Sequence, residues 1–211
     1  MPGSSTRSAG RRFTLTSGEP WIAGPIAGFV VAVVALFVAL LVSKPLPTGI
    51  SELDLALGYP LIFSLAHGLL GTVGLAHATA GLDLHHVLFH PIGIAAWVGM
   101  FATALNLLPG GQLDGGHIVY SMAPRVHRYV SLLAILVMVP LAYYKWEGWL
   151  LWGTVLAITG LRHPSVPDWP GIDAKRRWLA LLALVMLILT LTPAPFAHGS
   201  LHDVIHEFRN R

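Results

Sequence analysis

Cysteine is absent from this chain of 211 residues, and charge is scarce. Without a thiol there is no disulfide, no cysteine-ligated zinc and no thiol nucleophile. Any catalysis therefore falls to His, Asp, Asn, Glu, Ser or a metal. Asp, Glu, Lys and Arg together make up 11% of the chain, less than half the roughly 25% of an ordinary soluble domain. No basic stretch is interleaved with aromatic residues, so base stacking has no platform and no nucleic-acid partner is expected. Internal repeats are missing too, as is any polar stretch long enough for a separate soluble domain.

What the chain has instead is apolar side chains, at 55% of residues, with a mean hydropathy of +0.67. Several runs approach the roughly 18–20 residues that cross a bilayer. The expected fold is all-α, a polytopic transmembrane helical bundle of about six apolar segments. These are residues 21–42, 55–80, 92–108, 129–144, 146–161 and 178–192. Residues 1–20 read as a polar arm, 21–196 as the membrane-embedded domain and 197–211 as a polar tail. The stretch 119–128, with Pro124 in its middle, reads as a connection, and Trp and Tyr near Lys145 as interfacial residues. Segment 55–80, punctuated by Pro60, His67, Gly68, Gly71, Gly74 and His77, fits a span, a hairpin or a re-entrant element. If it does not cross as one helix, Arg7, Arg11 and Arg12 share the cytoplasmic side with Lys175, Arg176 and Arg177, as the positive-inside rule prefers. The net charge of +3 then sits where lipid headgroups are.

The most informative stretch is Asn106-Leu107-Leu108-Pro109-Gly110-Gly111-Gln112-Leu113-Asp114-Gly115-Gly116-His117. It begins where an apolar helix should still be in hydrocarbon. Pro109 removes a backbone donor and disfavours helix at Leu108. A carboxylate in the middle of a span costs roughly 2.5–3.5 kcal/mol on insertion scales, which marks Asp114 as a functional candidate. Broken backbone at that depth persists only where protein or a water-filled cavity surrounds it. The sequence thus describes a helix interrupted between Asn106 and Asp114 that presents Asp114 to a polar pocket. A structural hydrogen bond to a neighbouring helix end is the plainer role for the same carboxylate.

Asn106-x-x-Pro109-x-x-x-Leu113-Asp114-Gly115 resembles the second signature of the site-2 protease family of intramembrane zinc metalloproteases. Gly24-Pro25-Ile26-Ala27-Gly28-Phe29 is similar to that family's GPxAG segment. The resemblance runs from about residue 22 to residue 196. It implies a zinc metalloendopeptidase that cleaves transmembrane segments of other proteins in a bacterial-type inner membrane. It also implies Asp114 as a zinc ligand, Asn106 as the catalytic residue orienting substrate or its oxyanion, and Pro109, Gly110 and Gly115 as shapers of the backbone. His117, one turn beyond Asp114, is expected to orient it from behind. In the family a HExxH helix supplies two more ligands and a general base, and this sequence contains no HExxH. The zinc site is therefore incomplete in this chain. The expectation is a truncated or diverged member, inactive alone, or a non-catalytic protein that keeps the fold to bind transmembrane helices. A small transporter built on a broken helix is a third possibility, although no second Asn-x-x-Pro stretch is present. The partners expected are a transmembrane substrate and the bilayer, and the sequence leaves the oligomeric state open.

Other histidines have blander roles. His202 and His206 are four apart around Asp203, but in a tail where a polar interfacial helix is the simpler account. His86 and His90 have the same spacing, yet Pro91 follows and no carboxylate lies between them. His67 and His77 fit hydrogen bonds between helices.

Overall fold

The computed structural model describes residues 19–47, 57–76, 78–160, 174–196 and 200–209. Within them the chain is helical, and the all-α class holds. The helices are α1 (Glu19–Val42), α2 (Leu61–Thr72), α3 (Pro91–Asn106), α4 (Asp114–Met122), α5 (Pro124–Tyr144), α6 (Gly148–Gly160), α7 (Ala174–Thr190) and α8 (Leu201–Arg209). Two short strands, β1 (Lys44–Pro45) and β2 (Val87–Leu88), pair antiparallel. Residues 1–18 of the expected arm, His77, His198 and residues 161–173 of the Pro-rich loop lie outside the described residues.

Among the described residues, two of the apolar segments combine the length and hydropathy needed to cross a membrane: Ala23–Val42 and Pro124–Tyr144. Leu61–Thr72, Pro91–Asn106 and Gly148–Thr159 are apolar but shorter. The 12 residues of α2 rise about 18 Å, well under the roughly 30 Å of a hydrocarbon core. Moreover, Lys44 pairs with Leu88 and Pro45 with Val87, so the chain that ends α1 and the chain that leads into α3 lie side by side. Segment 55–80 is therefore an excursion and not a single crossing helix.

The expected connection at 119–128 is also corrected. Helix α4 continues to Met122 and α5 begins at Pro124, with Ala123 (φ −149°, ψ 80°) alone forming the corner. Proline at the first helical position carries no N–H that would go unbonded, and its fixed φ suits the helix. The same device starts α3 at Pro91, where the His90 ring nitrogen Nδ1 accepts from the Ile92 amide at 3.3 Å.

Helices α1 and α3 run antiparallel along a seam of small residues. A Cβ placed on Gly99 would stand 3.4 Å from that of Ala32, and one on Gly28 would stand 3.6 Å from the Thr103 hydroxyl. Such seams let helices approach closely where hydrocarbon offers no hydrophobic drive to pack. Three clusters fill the interior. Leu36, Phe63, Trp97 and Met100 centre the first, Met138, Trp149 and Leu156 the second, and Leu107, Ile118 and Met186 the third. Outward-facing Val31, Leu136 and Leu184 are among many exposed aliphatics on α1, α5 and α7, far more than a soluble monomer presents.

Candidate active site at the break between two helices

Asn106 is the last residue of α3 and Asp114 the first of α4, so the expected interruption is present with those bounds. Between them the chain makes successive turns. The Leu108 amide donates to the Leu105 carbonyl at 3.2 Å, and the Gly110 amide to the Leu108 carbonyl at 2.8 Å. Gly111 then takes φ +64°, a left-handed conformation that glycine enters without the steric cost a Cβ imposes. Leu113 is extended at the N-cap of α4, and the His117 amide closes the first turn onto its carbonyl at 3.0 Å. Asp114 thus occupies a helix N-terminus, where unbonded amides and the dipole favour a negative charge.

Three glycines hold this loop against its neighbours. A Cβ on Gly115 would collide with the backbone carbonyls of Leu107 and Leu108, and one on Gly116 with those of Gly110 and Gly111. The first turn of α4 therefore rests directly on the backbone of the loop that precedes it. Gly110 lies over α5, where an added Cβ would be 3.3 Å from the Ser131 Cα. Fully buried Ser131 accepts a long hydrogen bond, 3.4 Å, from the Gly111 amide. Sequence reading missed Ser131. Its signal was a lone hydroxyl within the apolar stretch of α5, which also suits a helix bonding to itself.

The two family-like stretches, about eighty residues apart, meet here. Ile26 and Phe29 of α1 pack against the buried cluster of Leu107, Ile118, Ala183 and Met186, and Pro25 of the same stretch is buried. Asn106 is exposed, while Asp114 and His117 are half-buried. Along the same face runs an apolar groove of about 350 Å³, lined by Leu107, Pro109, Gly115, Ile118, Val126 and Ala183 among others. Pro109 and Gly115, both expected to shape the backbone, form part of its wall.

Zinc needs three protein ligands at a catalytic site. Among the described residues no group of three or more His, Cys, Asp or Glu could hold a metal ion, so the donors brought together here do not by themselves fit zinc. Of the other histidines, His67 was expected to bond between helices, and its partner instead lies in the turns that follow its own helix. Buried His67 contacts the Thr79 carbonyl through Nε2 at 3.0 Å, and His90 caps α3. His202 pairs with Asp203 at 3.6 Å, and the His206 side chain is outside the described residues. A second, polar cleft of about 330 Å³ lies away from the break, among Tyr59, Ser64, His67, Asp83 and His85. Burial there pushes the Tyr59 phenol up from its ordinary pKa, and Asp83 adds to it.

The sequence profile of peptidase family M50 matches residues 20–144, which include both stretches and the break. The chain is 32% identical over 175 residues to "Probable zinc metalloprotease EGY1, chloroplastic" of Arabidopsis thaliana, covering 82% of this chain and 31% of that protein. The rice protein of the same description (Oryza sativa subsp. japonica) is 31% identical over 178 residues, 82% of this chain and 30% of the relative. "Probable zinc metalloprotease EGY2, chloroplastic" of Arabidopsis thaliana is 29% identical over 187 residues, 83% of this chain and 31% of the relative. The chain spans about a third of the length of these relatives. No solved structure matches.

Proposed function

The chain belongs to peptidase family M50, the site-2 protease family, and from that premise we propose that it is the substrate-handling part of an intramembrane zinc metalloprotease. In this reading Asp114 is one zinc ligand, Asn106 aligns the peptide to be cut and His117 steadies Asp114. The apolar groove receives a transmembrane segment of another protein. The chain resides in a bacterial-type inner membrane as a multi-pass protein, and alone it does not hydrolyse peptide bonds. One observation supports this most directly: the two polar residues end and begin helices on either side of a backbone break that opens beside an apolar groove. Backbone that is already broken, next to a surface a lipid-soluble helix can wet, suits holding such a helix while one of its peptide groups is exposed.

Zinc, which the family implies, supplies a polarised carbonyl and an activated water when bound. Since the described residues do not complete its donor set, no chemical step is assigned to this chain. A second reading has the groove in its favour: a protein that binds transmembrane helices and cuts none. Purified full-length chain in lipid nanodiscs, mixed with a synthetic transmembrane peptide and zinc, tests both. Saturable peptide binding without cleavage, weakened when Ile118→Trp fills the groove, is the expected result. Zinc-dependent cleavage lost in Asp114→Asn would overturn the inactivity of the chain, and absence of any peptide binding would overturn the groove assignment.

A further inference from the structure

We propose that α8 is a membrane-interface anchor, laying the stripe Leu201–Ile205–Phe208 into the boundary between lipid headgroups and acyl chains. At about 100° per residue these three positions fall within about 60° of one another on the helix. Their environments form a gradient. Leu201 is half-buried against the cluster around Met138 and Trp149, whereas Ile205 is 53% and Phe208 76% exposed. The helix therefore docks on the bundle by its first turn, and the same apolar stripe then runs off the protein uncovered. His202, Asp203 and Arg209 around it are exposed, so the described side chains form an amphipathic helix.

The bundle supplies the reason for choosing a lipid interface as the partner. Helix α8 meets α5 at its C-terminal end, where the Tyr143 ring stands edge-on to His202 at 5.8 Å and to Tyr144 at 4.8 Å. Helix α5 is one of two helices among the described residues long and apolar enough to span, and its outward surface carries exposed Leu133, Leu136, Val139 and Tyr144. Tyrosines ending an apolar span are the usual mark of the headgroup level. The exposed stripe of α8 thus starts beside the tyrosine-bearing end of α5, at the level where that apolar surface ends. Nine residues extend only about 13 Å, too short to cross, so the helix lies in the interface plane. Helix α8 carries Asp203 and Glu207 against Arg209, with no excess of positive charge to seek anionic headgroups, and the anchor is accordingly expected to hold on zwitterionic lipid as well as on anionic lipid.

The absence of cysteine makes the test clean, since each introduced thiol is unique. Single nitroxide labels are placed at Ile205→Cys, Phe208→Cys and His202→Cys in the full chain, reconstituted in phosphatidylcholine nanodiscs with and without phosphatidylglycerol. Positions 205 and 208 are already exposed, so the labels leave the core intact. The expected result is a ratio of oxygen to aqueous-nickel collision rates several-fold higher at 205 and 208 than at 202, in both lipid compositions. Equal aqueous accessibility at all three positions would overturn the proposal. So would protection of 205 and 208 from both relaxing agents with dipolar broadening between labels, because that assigns the stripe to a second copy of the chain. Dependence on phosphatidylglycerol would overturn the charge-independent form stated here. None of these outcomes bears on peptide binding or cleavage at the Asn106–Asp114 break.

Discussion

The indole N–H of Trp149 donates to the carbonyl of Pro193 across 2.8 Å, tying the start of α6 to the chain just beyond α7. Proline at 193 and 195 simply ends the last apolar run when read in sequence. In the fold that segment is threaded back inward. The Gly58 amide donates to the Pro195 carbonyl at 2.9 Å, and the Trp97 indole to the Gly58 carbonyl at 2.7 Å. Phe196 then lies between the Trp97 and Trp146 rings, with centroids 5.7 and 5.5 Å away.

Replacing Trp149 by Phe should therefore cost more than a Trp-to-Phe change elsewhere. The residue is only 1% exposed, and the substitution leaves the Pro193 carbonyl without its donor. That bond is part-buried and Pro193 itself is exposed, so its loss costs about 0.5–1.5 kcal/mol, and the packing of a buried indole is lost with it. Thermal unfolding in detergent is expected to show a clear drop for Trp149→Phe and a similar one for Trp97→Phe. Trp178→Phe, at a side chain 70% exposed, should leave unfolding unchanged. Equal behaviour of all three would contradict the role given to the indole bonds.

Glycine positions separate in the same way. At Gly115 an added methyl enters the carbonyls of Leu107 and Leu108, which belong to the loop that forms the site. Neither backbone can yield without moving α4, so Gly115→Ala should lose about 1–3 kcal/mol, the range for overpacking. Gly68, in the middle of α2 with nothing within 4 Å of such a methyl, should tolerate alanine or gain up to about 1 kcal/mol from helix propensity. Comparing detergent melting curves of the two variants checks the contrast.

The break itself was legible from composition alone, because Pro109 and the glycine pairs are incompatible with a continuous helix and Asp114 is incompatible with bare hydrocarbon. Helix ends at Asn106 and Asp114 followed directly. The corner at Ala123 did not, since a proline in mid-segment and a proline opening a new helix look alike in sequence. Burial of Trp149 was illegible for a related reason: tryptophan near a helix end fits the membrane interface until its partner at Pro193, forty-four residues away, is known. Two described segments reach the length and hydropathy of a span and three more are apolar but shorter, because apolar runs identify helices that avoid water without saying how far each travels. The short α2 returns because β1 and β2 pair, which no local pattern announces.

Zinc titrated into the purified chain should bind weakly and without a fixed stoichiometry. A catalytic site holds the ion by three protein ligands, and the described residues form no such group. Asp114→Asn is therefore expected to leave the isotherm of the isolated chain unchanged, while His202→Ala removes part of any residual binding. One equivalent of zinc that survives dialysis against a chelator and disappears in Asp114→Asn would show that this chain completes the site after all.

The start of α8 should respond to acid. The Ser200 hydroxyl donates to Asp203 Oδ2 at 2.6 Å, and the Asp203 amide returns a bond to that hydroxyl at 3.1 Å, a reciprocal N-terminal cap. The Ser200 hydrogen bond, followed by His202, holds the Asp203 carboxyl below its ordinary pKa. A carboxylate with a lowered folded-state pKa stabilises the structure above its unfolded value of about 4, and that contribution disappears as pH falls through the folded value. Amide-exchange protection in α8, corrected for intrinsic rates, should therefore be flat from neutral pH down to about 4 and fall below it. Ser200→Ala should lower protection at neutral pH and blunt the acid response, and Asp203→Asn should abolish that response. An unchanged acid profile in both variants would mean that α8 is held by Leu201 packing alone.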